Sequence, residues 1–474
     1  MPSSVTLTRA LRRSASAVVL LLSLCGLAEA QTRDAYFEFL MARRLEAQGE
    51  HTAAREALER AAAADPASAA VRAGIASFQL RRNERDDAER EALRALRLDD
   101  ANREAHRVLG VVYAADVEAM TARTPQTRVD ARARQAITHL EQVTGDGALG
   151  VGIQIYYSLG QLYLRTGDGA KAVDAFLEVV DQNPGSAQGR LSLARAYVAA
   201  EDLNGAIETL AVIVDDEPRV ASTLAQYQVR AGLLADAAES YTRALAVEPT
   251  SRGLKFRRVA AVFNNRDFAQ AAEFAAEAQA QHPGDLRFAR LRARAVFENG
   301  DSAQAFTILE PTARAYPTDV ATQLALADLY NDAGRDGEAE QTLRRYLATA
   351  PADSQALNHL GYLLADRGRA LDEAVRLVER ALVAEPGNPS YLDSLGWAHF
   401  RRGDFSEAEK HLSPAADQLP NNSVVQDHLG DVLAGQGRWL DAIAAWTRAL
   451  AGDAGIDREA VEQKVRDARS NVPR

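Results

Sequence analysis

Histidines, cysteine and glycine-rich loops are the places where a chain of 474 residues would keep its chemistry. The eight histidines are His51, His106, His139, His282, His359, His399, His411 and His428. Two imidazoles on one zinc ion need H-E-x-x-H or another i, i+4 pair, and no such spacing occurs. Cys25, the one cysteine, stands in an apolar N-terminal stretch that reads as removable, so no thiol nucleophile would remain. No local Ser-His-Asp or Cys-His motif is present. "GDGALG", Gly145 to Gly150, satisfies G-x-G-x-x-G, but a dinucleotide loop must follow a strand and open a helix. Here it follows the helical pattern "ARQAITHLEQV" and reads as a linker. Arg402-Gly403-Asp404 spells an adhesion tripeptide, yet it occupies the same turn as Gly167-Asp168 and Gly300-Asp301. No catalytic residue, metal ligand or cofactor is assigned, no small-molecule substrate is expected, and the chain reads as a non-enzyme.

The elements that would position these residues are set by a repeat. Pro184, Pro218, Pro249, Pro283, Pro317, Pro351, Pro386 and Pro420 are spaced 34, 31, 34, 34, 34, 35 and 34 residues apart, and Pro66 lies 118 before the first. Twelve residues before each of these nine prolines stands an alanine: Ala54, Ala172, Ala206, Ala237, Ala271, Ala305, Ala339, Ala374 and Ala408. Near twenty-four residues before most of them is a second small residue, such as Ala42, Gly160, Ala194 or Gly396. Small side chains at that interval let two antiparallel helices approach closely, while Leu159, Leu162, Tyr163 and Phe176 fill the space around them. Gly-Asp pairs between the small residues mark a turn, and the proline stops the second helix.

The period and the pattern Tyr156, Leu159, Gly160, Tyr163, Ala172, Phe176, Pro184 resemble the tetratricopeptide repeat. Twelve units are counted; two end without proline, at Asp100 and Ala454, and keep their alanines at Ala88 and Ala442. The resemblance implies an all-α, right-handed superhelical solenoid of helix-turn-helix repeats over residues 35–454. Residues 455–474 follow as a polar capping helix and tail. The third unit reaches its alanine, Ala136, late. The extra residues, about 114–129, would lengthen both helices by some two turns and put Pro125 at a projecting tip. Pro311 and Pro414 fall inside second helices and should kink them. The 31-residue unit implies a shortened first helix.

In the family the first helix of each unit lines a concave surface that holds partner segments. Aligning the units places Arg287, Arg290 and Arg294 there as a basic rung. Next come Asp328, Asn331 and Asp332, then Asn358, Tyr362 and Asp366, then Asp393 and Trp397, then Asp427 and Asp431. The resemblance thus implies an acidic C-terminal groove with Tyr362 and Trp397 as aromatic anchors and a basic protein or peptide as partner. The Lys/Asn/Arg clamp that some relatives use for C-terminal carboxylates is absent.

Residues 1–30 are a different material. Arg9, Arg12 and Arg13 precede "SAVVLLLSLCGLAEA", with Ala28-Glu29-Ala30 before Gln31, which reads as a secretory signal peptide. "LSLCG" also resembles a lipobox, so membrane contact is expected only if Cys25 is lipidated. The net charge is −11, and removing the leader's three arginines and one glutamate leaves −13, which argues against nucleic acid as a partner. Arginine and alanine usage suggests a GC-rich bacterial genome. The expected role is a protein–protein interaction scaffold or assembly factor, exported to the periplasm or cell envelope. The alternatives are an accessory subunit recruiting substrates to an envelope enzyme, or a lipid-anchored outer-membrane assembly component.

Overall fold

The computed structural model describes residues 33–144, 150–453 and 455–472. The leader, Cys25 and all of the 145–150 glycine loop except Gly150 lie outside them. Among the described residues every regular element is helical, and no helix is long and apolar enough to cross a membrane. The chain divides between Leu233 and Leu234 into two compact units.

The first unit pairs α1 (33–47) with α2 (His51–Ala64), α3 (Ala69–Arg81) with α4 (Arg85–Leu98), and α5 (Arg103–Ala119) with α6 (Gln126–Thr144). It continues with α7 (Ile153–Thr166) and α8 (Gly169–Gln182), α9 (Ala187–Ala199) and α10 (Leu203–Ala211), and ends with α11 (Ala221–Arg230). The second unit begins with α12 (Leu234–Val247). It then pairs α13 (Arg252–Asn264) with α14 (Phe268–Gln281), α15 (Leu286–Glu298) with α16 (Ser302–Ala315), and α17 (Val320–Asp332) with α18 (Asp336–Thr349). The last hairpins are α19 (Ser354–Asp366) with α20 (Leu371–Ala384), α21 (Pro389–Arg402) with α22 (Phe405–Gln418), and α23 (Ser423–Gly435) with α24 (Trp439–Ala451). A final helix follows, α25 (Arg458–Asn471). Within each unit a hairpin's second helix also packs on the next hairpin's first, and successive first helices touch.

Local chemistry explains the ends. At the turns inside hairpins, Gly167 and Gly300 adopt φ of +84° and +93°, which costs glycine nothing. The next residue, Asp168 or Asp301, then accepts the Lys171 or Gln304 backbone N–H and caps the second helix. Gly403 takes the same turn, and there Arg402 bonds both Asp404 and Asp372, so the adhesion tripeptide's two charges face each other. First helices are capped likewise by Ser68, Asn102, Ser186, Asp319, Asp353 and Asn422.

Packing inside a hairpin follows one rule. Ala54, Ala88, Ala136, Ala172, Ala206, Ala237, Ala271, Ala305, Ala339, Ala374, Ala408 and Ala442 are all at 0 % exposure. The small residue of the first helix meets the side chain four positions after that alanine. A Cβ on Gly160 would stand 2.6 Å from the Phe176 ring, on Gly396 2.5 Å from Leu412, and on Gly430 2.4 Å from Trp446. Gly396 also lies over the Ala408 carbonyl, 3.0 Å from where its Cβ would be, so the backbones do meet.

Irregular units are absorbed at their turns. In the third hairpin α5 has 17 residues and α6 has 19, about one extra turn each rather than two, with Pro125 just before α6. α10 and α11 shorten to nine and ten residues, and Pro218 opens a 3-10 turn, Pro218–Val220, instead of ending a helix. The extra residue of the 35-residue unit sits at Ala370, with φ +44°. α16 and α22 run on through Pro311 and Pro414.

Candidate partner-binding groove

In the second unit α13, α15, α17 and α19 present successive faces to a groove of about 520 Å³. Its floor is apolar and made of small or half-buried side chains: Leu291, Ala321, Leu324 and Ala325, with Phe256 at one end and Gln355 at the other. Arg287, Arg290, Arg294 and Asp328 wall it. Apart from Leu309 of α16, the lining comes from the first helices of hairpins, so the 34-residue period repeats the same face along the groove.

The three arginines are held by acids of the same or the next repeat. Arg287 forks onto Asp285, the residue that caps its own helix, at 2.6 and 2.9 Å, and lies over the Phe256 ring at 4.9 Å. Arg290 bonds Asp319 at 3.0 Å and Thr322 at 3.1 Å. Arg294 bridges Glu298 and Asp332, both at 2.5 Å. Planar guanidinium–carboxylate pairs of this kind fix side-chain direction more than they add stability at an exposed surface.

The predicted acidic rung is placed the same way. Asp328 accepts from His359 Nε2 at 2.5 Å, and Asn331 accepts from Arg367 at 2.8 Å. Asp427 and Asp431 both bind the Lys464 ammonium of α25, at 2.8 and 2.7 Å. Asp431 also accepts from Trp446 Nε1 at 3.2 Å. Burial drives the Asp431 carboxyl above its ordinary range against the pull of Lys464. The carboxylates of the last repeat are therefore occupied by the chain's own final helix.

Asp393 and Trp397 differ from the expectation of an open anchor. They are only 7 % and 9 % exposed. His428 Nδ1 lies 2.9 Å from Asp393, and its ring stacks on Trp397 at 4.0 Å between centroids and 14° between planes. Arg401 lies over the Trp397 ring at 5.6 Å, and Phe400 stacks on it at 5.0 Å. The aligned first helices bring these groups into one packed cluster, because a residue and its counterpart one repeat later face each other. Tyr362 borders it, half-buried, 6.4 Å from the His428 ring, and burial together with Asp366 and Asp393 pushes its hydroxyl well above the usual tyrosine range. Asn358 Oδ1 and Trp397 Nε1 are buried without a hydrogen-bond partner among the described residues.

Sequence alignment of the repeats found the walls of this groove and missed its floor. Leu291, Ala321, Leu324 and Ala325 carry no charge to attract notice. The available signal was their place: Leu291 lies four and three residues from Arg287 and Arg294, and Ala321, Leu324 and Ala325 lie seven, four and three before Asp328, the spacings of one helical face.

Comparison with known proteins adds an independent line. Family models described as tetratricopeptide repeat match residues 3–124; residues 130–187, 222–285, 337–389 and 359–423; and residues 163–227 and 296–360. The TPR repeat-containing protein PA4667 of Pseudomonas aeruginosa is 37% identical over 121 residues, 25% of this chain and 20% of that protein. The Protein CTR9 homolog of Arabidopsis thaliana is 33% identical over 105 residues, 21% of this chain and 9% of that protein. This chain thus spans a fifth or less of either relative. Among solved structures, yeast Tom70 aligns with 92% of this chain and 95% of its own at 13% identity and a TM-score of 0.46. A tetratricopeptide repeat protein from Parabacteroides merdae aligns with 60% and 98% at 14% identity and a TM-score of 0.40. The matches of the family models fall on the hairpins whose alanines, turns and prolines were described above, and on that agreement the chain belongs to the tetratricopeptide-repeat family.

Proposed function

We propose that this chain is an exported, non-catalytic scaffold of a bacterial cell envelope, holding an extended partner segment against α15 and α17. Tetratricopeptide repeats act as protein–protein interaction scaffolds. The observation that carries the site is the apolar floor Leu291, Ala321, Leu324 and Ala325 between charged walls. An extended peptide places alternate side chains on such a floor and its polar groups on the walls. A basic side chain of the partner would be received by Asp328 and by Asp366, whose carboxylate has no ion-pair partner among the described residues. Envelope placement is supported by the composition of residues 1–30.

The test blocks the floor and inverts the wall separately. Ala321 is exposed, so Ala321→Trp fills the groove without entering the core. Affinity purification from native envelopes identifies the partner. Its binding should fall at least about tenfold with Ala321→Trp, and with Asp366→Arg at low salt only. Wild-type affinity in both variants rejects the groove. The lipobox-like "LSLCG" favours one second reading, a lipid-anchored assembly component. Mass spectrometry of the mature N-terminus decides between Gln31 and an acylated Cys25.

A further inference from the structure

We propose that a second groove, formed by α1, α3 and α5 in the first unit, receives an acidic segment of a partner protein that also carries apolar side chains. The groove measures about 600 Å³ and its polar wall is made largely of arginine: Arg43, Arg81, Arg103 and Arg107. In a chain whose net charge is −11 this local excess of cations is a departure that needs a reason.

The arrangement is built around one hydroxyl. Ser77, 4 % exposed, accepts from Arg81 at 2.7 Å and from Arg107 at 2.8 Å. Two guanidinium groups from successive repeats therefore converge on a single oxygen. Glu46 forks onto Arg81 at 2.6 and 2.8 Å, and Glu104 binds Arg107 at 2.7 Å, so these two cations are matched and held in place. Among the described residues the other two are not matched by an acid: Arg103 donates to the Val143 carbonyl, a neutral acceptor, and Arg43 makes no ion pair. Both are exposed. Two fixed arginines thus shape the wall, and two others carry the uncompensated charge that attracts an anion.

Apolar surface continues from the groove along α1. Phe39 lines it, packed so closely under Gly74 that a Cβ there would stand 2.1 Å from its ring. On the same helix Tyr36, Phe37 and Leu40 are 63 %, 61 % and 48 % exposed. Tyr36, Leu40 and Arg43 follow at i, i+4 and i+7, one face of a helix. Exposed aromatic and aliphatic side chains beside unmatched arginines fit a segment that alternates carboxylates with apolar residues. A phosphate polymer fits less well, because Glu104 stands in the wall and repels closely spaced phosphates.

Fluorescence anisotropy on the full chain tests this with a labelled, end-blocked 14-residue peptide of Glu and Asp interspersed with Phe and Leu. Its counterpart with Lys in place of the acids, and heparin, serve as the other probes. The acidic peptide should bind with an affinity that falls as salt rises. Arg43→Glu with Arg103→Glu should weaken it at least about tenfold, as should Tyr36→Ser with Leu40→Ser, which leaves the buried face of α1 intact. Arg85→Glu with Arg97→Glu, an equal charge change on α4, and Ala321→Trp in the other groove should leave it unchanged, which separates this inference from the site proposed above. Equal binding of the two peptides, heparin competing as strongly as the peptide, or wild-type affinity in both double variants overturns it.

Discussion

His106 and His139 meet through their Nδ1 atoms at 2.8 Å across α5 and α6. His106 Nε2 lies 2.9 Å from the Asp100 carbonyl, which only accepts, so that nitrogen carries the proton and Nδ1 of a neutral His106 must accept from His139. Burial, and then the His106 ring, hold His139 below the ordinary histidine value. The sign follows directly. Above about pH 6.5 neither state is protonated; below it the unfolded chain takes up a proton that the fold resists, so stability falls with pH. Burial lowers His411 in the same direction, so part of the fall belongs there. We expect thermal melts of His139→Gln to lose less stability between pH 7 and pH 5 than the wild type. Parallel curves would show that His139 does not titrate in this way.

At the scale of the hairpin, the alanine twelve residues before the proline leaves no room for a longer side chain. Ala172→Leu and Ala339→Leu should each lower stability by about 1–3 kcal/mol through overpacking, whereas leucine at the exposed Ala321 should not. Chemical denaturation reads the difference, and unchanged midpoints would contradict the packing described. This rule was legible in the sequence because a small side chain in tight contact constrains residue type at one position only, and the period then repeats it. The ionic contacts were less legible. Arg294–Asp332, Lys464–Asp427, His428–Asp393 and Arg81–Glu46 lie 38, 37, 35 and 35 residues apart. Opposite charges about one period apart were visible in the sequence, but reading each repeat alone made them look free. The final helix is the clearest case. Val461, Val465 and Ala468 of α25 are buried, and Lys464 sits between Asp427 and Asp431. Lys464→Ala should cost about 1–3 kcal/mol by leaving both partly buried carboxylates unpaired, and Lys464→Arg should recover part of it. Melting that is indifferent to Lys464→Ala would mean the carboxylates are satisfied by water.

Across the molecule, composition and period disclosed the helical hairpins almost residue by residue, while the character of the grooves stayed hidden. An alignment of first helices finds which residues share a face; it does not say which of them are spent on one another. Trp397 illustrates the limit, since the sequence offers an aromatic on the inner face and the structure shows it packed under His428. The two units also differ in what remains without an ion-pair partner among the described residues: Arg43 and Arg103 in the first, Asp366 in the second, where Asp328 is already held by His359.

The ammonium of Lys464 is tied to Asp427 and Asp431 by the same polypeptide, so it returns to them without having to diffuse back from solution. A visiting lysine arriving at that end competes against a tethered rival that is always at hand. The reading frame for any basic guest is thereby shifted away from the terminal hairpin, toward carboxylates that no neighbour on the chain has already claimed.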